Sequence, residues 1–202
     1  MRYVVALLVS WTFGACCALA GPNDAASPVT IVFRFDGPHS DRSVQEMKRE
    51  LGAIMNGSGV QVDWRERSKV QTSESFPNLV VVTFRGKCIM EPVPYLYDER
   101  GPLAFTSNSD GEVLPFSEVA CDRVRSSLRG AMWGGDYGRS DVLFGRALAR
   151  VVAHELYHVL AGTTSHADSG VAKRALSGSE LISEDLRLTP ADLKRMHPGL
   201  GN

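Results

Sequence analysis

The sequence has no excess of charge of either sign, because its 22 Lys and Arg residues are nearly balanced by 23 Asp and Glu residues. A chain without a single-sign field is not drawn as a whole to nucleic acid or to an anionic membrane. We therefore expect no nucleic-acid partner. The sequence also lacks internal repeats and low-complexity segments, and its 202 residues suit one domain with one core.

Cysteine is scarce, since the chain has only four. Two of them, Cys16 and Cys17, fall in an N-terminal segment with the features of an export signal. Arg2 precedes an apolar stretch over residues 3–15, and residues 18–20 supply the small-x-small pattern that signal peptidases cleave. The pattern predicts a signal peptide.

The predicted signal peptide covers residues 1–20 and is cleaved after Ala20, which leaves one mature domain over residues 21–202. We expect the mature protein to be secreted or periplasmic, monomeric and without stable membrane association. Two alternatives stay open. The apolar segment is nearly long enough to be an uncleaved membrane anchor, and Cys16 or Cys17 could carry a lipid.

Cleavage would leave Cys88 and Cys121 as the only cysteines. An even, small number of cysteines in an exported protein predicts a disulfide bond. The alternative is two unpaired buried thiols.

Hydrophobic periodicity predicts strands interspersed with helices. The predicted strands cover residues 29–35, 60–64 and 79–84, followed by a hairpin over residues 102–106 and 112–119. The first strand alternates apolar with other residues, which is typical of a half-buried strand. The predicted helices cover residues 43–55, 140–161 and 191–196. We expect an α+β fold with a twisted mixed sheet, a long helix that carries the active site and a short C-terminal helix.

Local signals predict where these elements begin and end. Ser43 and Glu46 form a capping-box pattern at the start of the first helix, and Ser140 is the predicted N-cap of the long helix. Gly162 predicts the end of that helix. Pro115 predicts that the second half of the hairpin lies at a sheet edge.

Residues 130–138 contain four glycines together with Trp133 and Tyr137. This composition predicts an irregular loop. We expect the two aromatic side chains to pack the loop onto the core, with the lining of a specificity pocket as the alternative.

The residues with metal-binding chemistry are concentrated in the long helix, where His154 and His158 are four positions apart. This spacing places both imidazoles on one helix face, one turn apart, as a zinc site requires. Glu155 lies beside His154 on the helix, close enough to act as a general base on a water molecule at the metal. The alternative is two ordinary histidines on a helix without a metal.

A catalytic zinc ion takes three protein ligands and keeps one position open. His166 is the predicted third ligand, because a chain that turns back after Gly162 could bring it under the metal. Asp168, Glu180 and Glu184 are the reserve candidates.

The segment from His154 to His166 resembles the metzincin metalloproteases, whose pattern is H-E-x-x-H-x-x-G-x-x-H followed by a methionine-containing turn. Here the glycine comes one residue later and the third histidine two residues later. No methionine follows His166 until Met196, so residues 171–176 are the candidate replacement for the turn. The resemblance implies a zincin-like fold, and it implies that residues 103–106 form an edge strand along which a peptide or protein substrate pairs.

The predicted function is zinc-dependent hydrolysis of peptide bonds by an exported metalloprotease, with Glu155 as general base. One alternative is a zinc protease of the gluzincin type, in which Glu180 or Glu184 is the third ligand. Another is a non-catalytic exported binding domain.

Overall fold

The computed structural model describes residues 28–91 and 101–196, so the predicted signal peptide and its cleavage site lie outside the described residues. Within those residues the chain forms a mixed α+β fold with one five-stranded sheet, which confirms the predicted class. The strands are β1 (Val29–Phe35), β2 (Val62–Glu66), β3 (Leu79–Arg85), β4 (Ala104–Ser109) and β5 (Glu112–Ala120). The helices are α1 (Asp41–Asn56), α2 (Cys121–Arg129), α3 (Ser140–Ala161), α4 (Gly178–Ile182) and α5 (Pro190–Met196).

The sheet is mixed, with strand order β2-β1-β3-β5-β4. β1 pairs in parallel with β2 and β3, and β3 pairs in parallel with β5, whereas β4 runs antiparallel to β5. The predicted hairpin is therefore confirmed. Its turn consists of Asp110 and Gly111, whose φ angles of 52° and 86° are the left-handed values that a two-residue hairpin turn requires.

Two predictions about the strands were wrong. β5 is an inner strand, and Pro115 is tolerated there because pairing with β3 begins only at Phe116. β1 is not half buried, since Thr30 and Val32 are buried together with the alternating apolar residues. Both faces of β1 are thus covered at its start.

The start of α1 differs from its prediction. The N-cap is Ser40, whose hydroxyl accepts a hydrogen bond from the backbone N–H of Ser43 at 3.4 Å. Ser43 is buried, and its own hydroxyl donates to the backbone carbonyl of Asp141 at 3.0 Å. The residue predicted to cap α1 therefore joins α1 to the start of α3.

α3 is the central helix, and it packs against α1 and contacts β4 and β5. Ser140 is its first residue, and the cap position belongs to Arg139, which makes no capping side-chain hydrogen bond. The helix ends as predicted, because Gly162 adopts the left-handed conformation at φ 55°. That turn sends the chain back beneath the end of the helix.

Four short helical segments were not predicted: α2, α4 and two 3₁₀ helices over Arg67–Lys69 and Gly134–Arg139. The second 3₁₀ helix extends one residue beyond the predicted irregular loop of residues 130–138. The expectation that the two aromatic residues of that loop pack onto the core was wrong, because Trp133 is 81% exposed and Tyr137 is 58% exposed. The short C-terminal helix was predicted and is present as α5.

Cys88 and Cys121 form the predicted disulfide bond, with their Cα atoms 5.0 Å apart. The bond joins the segment that follows β3 to the first residue of α2. None of the helices within residues 28–91 and 101–196 is both long enough and apolar enough to cross a bilayer.

A buried ion pair connects three helices. Arg150 of α3 is fully buried, and its Nη2 lies 3.1 Å from Oε1 of Glu50, a buried residue of α1. The Nη1 of Arg150 donates to the backbone carbonyls of Glu180 and Leu181 in α4, at 2.8 and 3.0 Å. One guanidinium group therefore holds α1 and α4 against α3.

We expect Glu50→Gln to lower the free energy of unfolding by about 3 kcal/mol, because it leaves the buried Arg150 without a counter-charge. Urea unfolding followed by circular dichroism measures the change. Glu46→Gln is the matched control, since Glu46 pairs with the exposed Arg49 on the same helix and should cost less than about 1 kcal/mol. Equal losses in the two variants would contradict a special role for the buried pair.

Candidate metal centre

Three histidine side chains meet at the C-terminal half of α3. His154 and His158 lie one turn apart on the helix, and their Nε2 atoms are 3.1 Å apart. His166 joins them, and one ring nitrogen from each histidine lies within 4.8 Å of the others. Nitrogen ligands at about 2.0–2.1 Å from a tetrahedral zinc ion lie about 3.3 Å apart, so the cluster is close to the geometry that a metal needs.

Backbone carbonyls orient two of these rings. The Nδ1 of His154 lies 2.8 Å from the carbonyl oxygen of Val171, and the Nδ1 of His158 lies 2.7 Å from that of Thr163. A carbonyl oxygen only accepts hydrogen bonds, so each Nδ1 carries the proton and each Nε2 keeps its lone pair. Histidine ligands of metals are commonly fixed by such a second hydrogen bond.

The chain that follows α3 supplies both the third histidine and the orienting carbonyls. After Gly162, the N–H of Thr163 donates to the carbonyl of His158, and the chain then turns back. The N–H of Ala167 donates to the carbonyl of Ala172 at 2.9 Å, which closes a turn just after His166.

This turn overlaps residues 171–176, the predicted replacement for the methionine-containing turn. Val171 and Ala172 are both fully buried, and the Val171 carbonyl contacts His154 directly. The N–H of Val171 donates to the carbonyl of Arg187 at 2.9 Å, so the segment is held from both sides. An apolar, hydrogen-bonded turn therefore lies against the first histidine.

The histidine cluster is electrically neutral near pH 7. The pKa of His154 is lowered to about 4, mainly by burial and also by the neighbouring His158 and His166, and the hydrogen bond with Val171 opposes this lowering. Burial likewise lowers the pKa of His158, and it lowers that of His166 together with the charges of His158 and Arg174. Neutral imidazoles are the form that binds metals.

Glu155 is only 4% exposed, and burial raises the pKa of its carboxyl group to about 7. Its Oε2 accepts a hydrogen bond from the hydroxyl of Thr106 in β4 at 2.6 Å, which opposes the rise. The Thr106 hydroxyl also lies 2.9 Å from that of Ser117 in β5. Nothing in the sequence around Thr106 indicated this contact, because the two partners are 49 residues apart and only the sheet brings them together.

A cleft of about 560 Å³ opens above the cluster. The three histidines and Glu155 form part of its wall, and β4 forms another part. Apolar side chains complete it, among them Leu103, Val113, Val151 and Leu176. Trp133 and Tyr137 are not among the described residues that line this cleft, so the alternative in which they form a specificity pocket here finds no support.

The reserve ligands lie outside the cluster. Among the described residues, the group able to hold a metal consists of the three histidines and contains none of Asp168, Glu180 and Glu184. The carboxylate of Glu180 is hydrogen-bonded to Lys173 and to Ser177, and these contacts lower its pKa to about 2.

We expect one Zn²⁺ ion to bind per chain, and His166→Ala to weaken its binding by more than tenfold, because two imidazoles remain where three converged. Isothermal titration of the metal-free protein with Zn²⁺ measures the affinity. Glu180→Gln is the control and should leave the affinity within about twofold. A larger loss from Glu180→Gln than from His166→Ala would show that the carboxylate is the third ligand.

Neither a scan against protein-family models nor a search of the curated proteins finds a match to this chain. The case for a function therefore rests on the histidine cluster, on Glu155 and on the cleft above them.

Proposed function

We propose that this protein is an exported zinc metallopeptidase in which His154, His158 and His166 bind the metal and Glu155 is the general base. The observation that carries the proposal is the convergence of three neutral imidazoles and one buried carboxylate in the wall of an open cleft. Three protein ligands with access to solvent are typical of catalytic rather than structural zinc sites.

The donor set fits zinc. Three imidazole nitrogens without a thiolate or a ligating carboxylate suit a borderline-soft divalent ion, and two of the rings are already oriented by backbone carbonyls. When bound, zinc acts as a Lewis acid that polarises a carbonyl group and makes water more acidic.

Glu155 moves the proton in this proposal. It accepts a proton from the attacking water and returns it to the nitrogen of the leaving amine, as a general base and then a general acid. The burial that raises its pKa to about 7 suits both roles, because a catalytic group works best when its pKa lies near the working pH. Thr106 fixes the direction of the carboxylate through its hydrogen bond.

The edge strand β4 is the proposed place for the substrate. It is the last strand of the sheet, and Leu103 to Thr106 line the cleft beside the histidines. An extended peptide can pair with such an edge through main-chain hydrogen bonds. This arrangement would carry the scissile bond past Glu155.

A metzincin-like fold is part of the proposal. It is supported by the antiparallel edge strand that contacts the active-site helix, by the left-handed turn at Gly162 and by the third histidine beyond that turn. The buried turn at Val171, whose carbonyl contacts His154, is the proposed counterpart of the methionine-containing turn. Export is supported by the disulfide bond between Cys88 and Cys121, which is typical of oxidising compartments.

The gluzincin alternative is less well supported, because the carboxylate of Glu180 is engaged by Lys173 and Ser177. The non-catalytic binding domain differs from the proposal in what Glu155 does. A buried carboxylate with a raised pKa beside a metal site is typical of catalytic sites, and a binding domain does not require one.

We expect Glu155→Gln to lower peptide hydrolysis by roughly 10²- to 10⁴-fold, which is the usual contribution of a general base. The zinc content should stay at one ion per chain, because Glu155 is not a ligand. Hydrolysis of a fluorogenic peptide mixture and elemental mass spectrometry measure the two quantities.

Glu184→Gln is the matched control for this change, because Glu184 is exposed on the segment that follows α4. It should retain full activity and full zinc content. Full activity of Glu155→Gln would refute the proposed role of Glu155 and favour a protein without this mechanism.

We expect Thr106→Val to lower kcat by about tenfold or more with little change in KM, because it removes a hydrogen bond to a charged group without changing the shape of the side chain. Thr106→Ser retains the hydroxyl and should recover most of the activity. Steady-state kinetics of both variants measure the effect. Equal losses in the valine and serine variants would show that the methyl group, rather than the hydroxyl, matters.

A further inference from the structure

The charged side chains of the cleft are not balanced. Among the described residues that line it, Glu155 is the only carboxylate, whereas Lys173 and Arg174 bring two cations. Glu155 is buried, and its carboxylate accepts a hydrogen bond from the hydroxyl of Thr106. The cleft therefore offers more positive than negative charge to a substrate.

The two cations differ in their partners. Lys173 forms an ion pair with Glu180, so its charge is compensated within the protein. Arg174 is exposed, and no described residue forms an ion pair or a side-chain hydrogen bond with it. Arg174 is thus the cation of the cleft wall that is available to a ligand.

The backbone on both sides of Arg174 is fixed. The N–H of Ala167 donates to the carbonyl of Ala172, and residues 167 and 173 form a β-bridge. On the other side, the hydroxyl of Ser177 caps α4. The guanidinium group is therefore presented from a firmly held segment.

Arg174 also lies close to the metal ligands. It lines the same cleft as His166, and the β-bridge between residues 167 and 173 holds the segments that carry these two side chains together. A substrate whose reacting carbonyl lies at the three histidines would have its neighbouring residues within reach of this guanidinium group.

We infer that the cleft selects peptides that carry a carboxylate near the scissile bond, with Arg174 as the counter-ion. The inference rests on the proposed peptidase function. A guanidinium group matches a carboxylate with two parallel hydrogen bonds, which gives direction as well as charge. The apolar side chains of Leu103, Val113 and Leu176 leave the rest of the wall suited to an apolar neighbour of that carboxylate.

The carboxylate could belong to an acidic side chain or to the free C-terminus of the peptide. The first would make the protein an endopeptidase with acidic preference, and the second a carboxypeptidase. The binding experiment below separates the two sources with three peptide sets: amidated peptides with Asp at one scanned position, the same peptides with Asn, and the Asn peptides with a free C-terminus.

The experiment uses the full mature chain with Glu155→Gln, loaded with zinc, so that peptides bind without being cleaved. Fluorescence anisotropy gives the dissociation constant of each peptide. We expect one carboxylate-bearing set to bind about three- to tenfold more tightly than the uncharged set, and the difference to shrink at high salt. Adding Arg174→Gln should abolish the difference. Adding Arg65→Gln instead should preserve it, because Arg65 pairs with Asp63 on β2, an edge strand that lacks residues in the cleft.

The results separate this inference from the proposed function. Zinc-dependent cleavage by the wild-type chain together with equal binding of charged and uncharged peptides would overturn the role of Arg174 and leave the peptidase intact. A carboxylate preference that disappears with Arg174→Gln would support the role of Arg174 even if the wild-type chain cleaved no peptide. A preference that survives Arg174→Gln, or the failure of every peptide to bind, would overturn the inference.

Discussion

The position of α3, the helix that carries His154, Glu155 and His158, depends on the buried guanidinium group of Arg150. A charge with no exposure to water must be paired, and the partners of Arg150 lie in two other helices: the Glu50 carboxylate in α1 and the carbonyls of Glu180 and Leu181 in α4. These partners can be satisfied together only if α1 and α4 lie against one side of α3. Arg150 is one helical turn before His154, so the ion pair with Glu50 fixes the helix immediately next to the candidate metal centre.

The C-terminal end of α3 and the segment after it determine the orientation of the His154 and His158 rings. Gly162 takes a left-handed conformation, and the chain that turns back there places the carbonyl of Thr163 on His158 and that of Val171 on His154. The segment that begins at Gly162 thus ends the helix, orients two imidazoles and supplies His166. The lengthened spacing to His166 is compatible with a three-histidine cluster, because the turn rather than the residue count brings the rings together.

The sequence predicted most of the local features, and apart from the disulfide bond it missed the contacts between distant segments. The hairpin, the end of α3 at Gly162 and the shared face of His154 and His158 follow from patterns a few residues long, and the structure has all three. The cap of α1 was misplaced because Ser43 is engaged by Asp141, 98 residues away. The contact of Thr106 with Glu155 was invisible for the same reason, since the pairing of whole strands brings the two together. α4 is predictable from the sequence, because Ser177 and Glu180 form a capping-box pattern at its start.

In the proposed enzyme, substrate binding and proton transfer both depend on strand β4. β4 presents its free edge to the cleft, and from the same strand Thr106 donates to the carboxylate of Glu155. A peptide that pairs with this edge would stiffen β4, and with it the residue that orients the base. Ser117 holds Thr106 from the inner strand β5, so the hydroxyl is already placed before a peptide arrives. The histidines, by contrast, are held by α3 and by the turn after it. Metal binding and the orientation of the base therefore depend on different parts of the fold, and a change in one need not disturb the other.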